Sequence, residues 1–248
     1  IWLATVVVSG ISYLSYLLKR YVFHESGTLV SGIIGGLYSS TATISVLARK
    51  SRKASEQKAT DYVAAMLLAV SMMFLRFMIL ILIFSREIFL SIYPYLLTMA
   101  VVAAIVAWFI HSRQKRPEDQ PAETEEDDSS NPLEFKVALI FAVLFVIFTF
   151  LTHYTLVYAG TGGLNLLSFV SGFSDITPFI LNLLQNTGSV AALIITACSM
   201  QAIISNIMVN MFYALFFAGK GSKLRPWILG GFGVVITCNL VLLLFFYI

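Results

Sequence analysis

Two charged residues stand inside otherwise apolar sequence: Arg76 in SMMFLRFMIL and Asp175 in SGFSDITPFI. A charge at the centre of a membrane-crossing helix costs about 2.5 to 3.5 kcal/mol, so each must face protein or water and find a partner. Arg76 suits an ion pair or a cap on backbone carbonyls, and Asp175 suits a helix N-cap. Neither role excludes contact with a ligand. Small polar groups accompany them: Ser39, Ser40, Thr41 and Thr43 in one stretch, and Ser174 and Thr177 beside Asp175. Further on, Ser199, Asn206, Asn210 and Tyr213 follow at spacings of 7, 4 and 3, which places them on one helix face. As plain packing these groups would be interhelical hydrogen bonds. As a site they would bind a small ion or polar solute, because half-helix N-termini favour negative charge while hydroxyls and unwound carbonyls coordinate cations.

No catalytic constellation is expected. His24 and His111 fall at the edges of apolar runs, and His153 lies near a helix end without a charged neighbour. Neither a Ser–His pair nor paired carboxylates occur within the apolar runs. Cys198 and Cys238 sit in apolar runs with no second Cys or His at ligand spacing, as buried core residues do. The expectation is a protein that is not an enzyme and carries no cofactor or metal.

The elements that must position Arg76 and Asp175 are set by composition. Of 248 residues, 58% are hydrophobic and only 12% charged, and the mean hydropathy is +0.87. That is the composition of a membrane protein, not a soluble domain. The chain opens at Ile1, already inside an apolar run and without Met, which suggests the later part of a longer protein. Apolar stretches of spanning length cover 1–18, 62–84, 88–110, 135–157, 191–217 and 227–247.

Two further stretches are interrupted. Ser26 to Arg49 carries Gly27, Gly32, Gly35 and Gly36 and then the hydroxyl run, so one half-helix is expected to end at the Gly35–Gly36 pair and a second to start at Ser39–Ser40–Thr41. The competing reading is a single spanning helix packed through its small residues. Gly163 to Asn186 is broken likewise, with Thr177 as N-cap and Pro178 at the first helical position.

A shift of 136 positions superimposes Gly27 on Gly163, Gly36 on Gly172, Thr41 on Thr177, Ile44 on Ile180 and Leu47 on Leu183, in the same order of elements. The reading is two membrane repeats, 1–112 and 136–248, joined by an acidic flexible linker at 113–135. Eight simple crossings would divide the loop basic residues nine against six. If both broken stretches re-enter, fourteen fall on one side (19, 20, 49, 50, 52, 53, 58, 113, 115, 116, 136, 220, 223 and 225) and only Arg86 on the other, Arg76 lying within a span. The positive-inside rule prefers the second arrangement. The fold class is therefore an all-α integral membrane protein of two inverted repeats, each three transmembrane helices plus one re-entrant hairpin, with eight simple spans as the alternative. The counterpart of Asn210 in the first repeat is then Arg76, allowing a two-residue change in loop length.

SGIIGGLYSSTATISVLARKSR resembles the signature of the uncharacterised membrane domain that follows the MgtC-like portion in bacterial MgtC/SapB-type proteins, and NPLEFKVALIFAVL with SGFSDITPF resembles that domain's second half. The resemblance implies a bacterial inner membrane protein and a link to magnesium or acid-stress physiology, the latter belonging mainly to the N-terminal portion. This chain has Thr177 where that domain usually has a second acid, and Asn210 lacks the Lys that often follows it there.

The expected function is a carrier or channel for a small ion or polar solute. Its ligand-binding set is Gly35, Gly36, Ser39, Ser40, Thr41, Thr43, Arg76, Ser174, Asp175, Thr177, Ser199, Asn206 and Asn210, gathered where two hairpin tips meet near the midplane. The basic loops and the linker would be cytoplasmic. The expected partners are the lipid bilayer and the solute, with a second copy of the chain left open, and no nucleic acid. The rival expectation is a non-transporting membrane module that binds or regulates a partner protein.

Overall fold

A computed structural model describes residues 27–52, 56–113, 135–185, 190–219 and 222–247, with residues 6–8, 10, 13 and 17, which are helical. The remainder of the span expected at 1–18, the basic pair Lys19 and Arg20, and most of the acidic linker lie outside the described residues. The helices are α1 (Thr28–Ser51), α2 (Glu56–Phe84), α3 (Arg86–Ser112), α4 (Phe135–Ser171), α5 (Ile176–Gln185), α6 (Ala192–Ala218) and α7 (Arg225–Tyr247). Among the described residues there is no strand. Six helices are long and apolar enough to cross a membrane: Thr28–Ser51, Thr60–Phe84, Arg86–Ser112, Val143–Ser171, Ala192–Ala218 and Arg225–Phe245. The chain is a multi-span helical membrane protein.

Two of these six are not straight. In α1, Ser39 leaves the helical region (φ −157°, ψ 109°), and its Oγ accepts from the Ala42 N–H at 3.3 Å, as an N-cap does. A Cβ on Gly35 would lie 2.5 Å from Thr43 Oγ1. Eight residues of straight helix would separate those positions by about 12 Å, so α1 folds back on itself at Ser39. The break is thus three residues later than the Gly35–Gly36 pair where it is expected from sequence. The glycines serve a different purpose: a Cβ on Gly36 would meet Ala69 Cα at 2.5 Å, and one on Gly32 would meet the Ala65 carbonyl oxygen at 2.3 Å. They let the α1 and α2 backbones touch, the packing that membrane helices achieve through small residues. The break falls instead on the first residue whose side chain can cap a new helix.

In α4, Gly160 adopts φ 57°, ψ −149°, a conformation that only glycine enters without strain. Gly163 lies against Thr155, eight residues earlier, so the chain turns back here too. A second break spans 172–175 before α5. There the Asp175 carboxylate accepts from the Thr177 N–H at 2.9 Å. Asp175, not Thr177, is the N-cap of α5, and Pro178 falls third in the helix, still within the turn whose N–H groups have no intrahelical partner.

The helices α2 and α6 form the centre. The former packs on α1, α3, α5 and α7, and the latter on α1, α3, α4, α5 and α7. Each broken stretch packs on the helix that follows it through contacts that correspond at a spacing of 136 residues. The Gly36–Ala69 contact corresponds to Gly172 against Ser205, and Gly32–Ala65 corresponds to Ser168 donating to Gln201 Oε1 at 2.7 Å. These pairs are related by the 136-residue shift throughout, without the two-residue allowance, so the positions matching Arg76 and Asn210 are Phe212 and Phe74.

At one end of the bundle, the end of α1 meets the end of α6. Arg52 Nη2 donates to the Phe216 carbonyl at 3.1 Å, and the Arg49 guanidinium lies 4.3 Å from the Phe217 ring centroid. At the α2–α3 contact, His111 Nδ1 is 2.7 Å from Asp61 Oδ1.

Candidate functional site

Arg76 reaches two of the breaks, the one at Ser39 and the one at 172–175. Its Nη1 donates to the Tyr38 carbonyl at 2.6 Å, and its Nη2 donates to Thr177 Oγ1 at 2.5 Å. Tyr38 is the last residue before the break in α1, where helix carbonyls lack intrahelical partners and carry the negative end of the dipole. Thr177 stands in the first turn of α5. One planar fork a few ångströms across therefore ties Tyr38 to Thr177, 139 residues further along the sequence. Of the two structural roles open to Arg76, the carbonyl cap is the one it plays.

Asp175 and Ser174 are exposed at the second break. Ser174 Oγ donates to the Ser171 carbonyl at 3.1 Å. Asp175 and Arg76 both hold Thr177, yet the two form no direct ion pair within 4.0 Å. On α6, Asn206 Nδ2 donates to the Gly172 carbonyl at 3.2 Å and Asn210 Nδ2 donates to Asn206 Oδ1 at 3.1 Å. Because a carbonyl only accepts, the polarity of this relay is set at Gly172. It ends on Asn210 Oδ1, which is buried and has no partner among the described residues. Each half-helix that ends at a break is thus capped by a polar head from the following helix: Arg76 for Tyr38, Asn206 for Gly172.

Of the residues expected at the tips, Ser39, Arg76, Ser174, Asp175, Thr177 and Asn206 lie at or bond to the two breaks, and Asn210 is joined to them only through Asn206. Thr41 follows Ser39 in the first turn of the second half-helix, its carbonyl accepting from Ser45 Oγ at 2.8 Å. The others have different neighbours. Gly35 and Thr43 pack on each other across the fold-back, and Gly36 on Ala69. The Ser40 hydroxyl turns to Met73 Sδ at 3.4 Å. Ser199 bonds the Ile195 carbonyl of its own helix at 2.8 Å, seven residues or about 10 Å along α6 from Asn206. Sequence reasoning did not find the carbonyls of Tyr38 and Gly172, since a backbone acceptor has no signature of its own.

Among the described residues no group of three His, Cys, Asp or Glu stands together. The junction instead offers a guanidinium, one carboxylate, hydroxyls, amides and helix termini.

The chain is similar to an uncharacterized protein of Aquifex aeolicus (strain VF5), 24% identical over 227 residues that cover 89% of this chain and 96% of the other. No solved structure matches it. The family model described as Domain of unknown function (DUF4010) matches residues 6–218, a stretch containing α1 through α6 and both breaks, and the chain belongs to that family.

Proposed function

We propose that this protein is a carrier or channel for a small ion or polar solute, with its binding place between the two breaks. The observation that carries this reading is the Arg76 bridge from the Tyr38 carbonyl to the Thr177 hydroxyl. Gathering a guanidinium, a carboxylate and an orphaned amide oxygen within a membrane protein is costly unless water or a ligand uses them.

In this reading the broken stretches are re-entrant hairpins of two inverted repeats. Three features support it: the fold-back at Ser39, half-helices of about eleven residues that reach roughly 16 Å, half the hydrocarbon core, and the Arg52–Phe216 bond. Eight simple crossings would put the ends of α1 and α6 on opposite faces, whereas re-entrance puts them on one. The membrane is a bacterial inner membrane with that basic end in the cytoplasm. Single cysteines at Ser55, Ser129 and Ser222, with Cys198 and Cys238 replaced, should all react with an impermeant reagent from the cytoplasmic side. Labelling of 222 from the opposite face would restore eight simple crossings. The association with MgtC/SapB-type proteins rests on the motif resemblance alone.

Proteoliposomes should show saturable flux of at least one ion or small solute from a broad panel. Asp175→Asn should change which solute is preferred, while Ser199→Ala, remote from the breaks, should not. Absence of flux across the panel would favour the non-transporting module.

A further inference from the structure

Resting on that reading of the site, we infer that the solute is a small zwitterion, a free amino acid being the simplest, with its carboxylate toward Arg76 and its ammonium toward Asp175. A guanidinium and a carboxylate joined through one residue, Thr177, could instead have met in a direct bidentate pair. Here Thr177 keeps them apart: its hydroxyl holds Arg76 and its backbone N–H holds Asp175 Oδ1. Both charges retain unused capacity. Among the described residues Arg76 has two acceptors for five N–H groups, and Asp175 Oδ2 has no partner.

The sum of the two charges is zero, which argues against a simple ion. A monovalent anion drawn to Arg76 meets the repulsion of Asp175, and a cation drawn to Asp175 meets that of Arg76. A molecule carrying both charges gains from each. Asn210, linked to the second break through Asn206, is a further acceptor. It stands one helical turn, about 6 Å, beyond the residue that caps Gly172, and its buried Oδ1 lacks only a donor. An ammonium group brings three.

The test uses the purified full chain in detergent. Thermal stabilisation is measured with each proteinogenic amino acid, with the amine and the carboxylic acid that each leaves when one charged group is removed, and with sodium, potassium, magnesium, chloride and phosphate. At least one amino acid should stabilise saturably, and its amine and acid analogues should each bind about tenfold more weakly or worse, the loss of one charged hydrogen bond. Asp175→Asn should reverse the order, so that the acid analogue binds better than the amino acid, a change that a purely structural role for Asp175 would not produce. Equal binding of the amino acid and its singly charged analogues overturns the inference, as does stabilisation by inorganic ions alone. Proteoliposome flux separates the two readings. Ion flux without amino-acid binding leaves the transport reading standing and removes the zwitterion. Amino-acid binding without flux does the reverse.

Discussion

Gly36→Val is expected, like Gly32→Val, to be among the most destabilising single changes in α1. A Cβ at this position would lie 2.5 Å from Ala69 Cα and 2.6 Å from the Ala69 carbonyl oxygen. Those are backbone atoms of a central helix and cannot rotate aside. Overpacking a membrane or soluble core costs about 1 to 3 kcal/mol and occasionally more, and separating α1 from α2 also forfeits the close contact that small residues permit. The expected result is a loss of at least about 3 kcal/mol, read as a collapse of the monodisperse fraction and of the thermal midpoint in detergent. Gly230→Ala is the control, because nothing lies within 4 Å of its Cβ position. It should be neutral or stabilising by up to about 1 kcal/mol, the helix propensity gained. Gly172→Ala differs in kind, since its first obstacle is the Ser205 side chain at 2.3 Å, so Ser205→Gly should partly rescue it. Gly36→Val as stable as Gly230→Ala would mean that α1 and α2 do not touch as described.

Arg76→Met should have the largest effect on function. It removes both charge-assisted bonds that join the two breaks, each worth about 1.5 to 3 kcal/mol, but also relieves the desolvation of a charge. The two contributions oppose each other, so the variant should still insert and fold with a lowered melting temperature. Flux should be abolished. Ligand-dependent stabilisation, about 2.7 kcal/mol at a hundred times Kd, should vanish with it. Arg76→Lys should keep the fold and recover only part of the flux, because an ammonium lacks the planar fork that meets two acceptors at once. Undiminished flux in Arg76→Met would reduce the bridge to a packing contact.

How much of this was legible beforehand can be judged residue by residue. That the chain is helical and membrane-embedded follows from composition, because apolar surface must leave water whatever the topology. That Ser26 to Arg49 is interrupted follows from glycines and hydroxyls that weaken a lipid-facing helix. That Arg76 needs a partner follows from the cost of an unpaired charge in hydrocarbon. The five matches at a spacing of 136 include Gly36 and Gly172, whose contacts, Ala69 and Ser205, have the same spacing without the two-residue allowance expected for the following helix.

The start of the second half-helix at Ser39 was expected, but where the first half-helix ends and which of two candidates caps α5 were not legible. Gly35–Gly36 and Ser39 are both local stop signals, and only the approach of α2 assigns the glycines to packing and leaves Ser39 to cap. Asp175 and Thr177 are both competent N-caps two residues apart, and the path of the chain through 172–175 selects the carboxylate. The partner of Arg76 lay furthest from sequence. Every residue has a carbonyl, and Tyr38 is distinguished only because its helix ends there with α5 brought across from the far half of the chain. Local chemistry states what a residue requires, whereas long-range packing decides which of many equivalent groups meets the requirement.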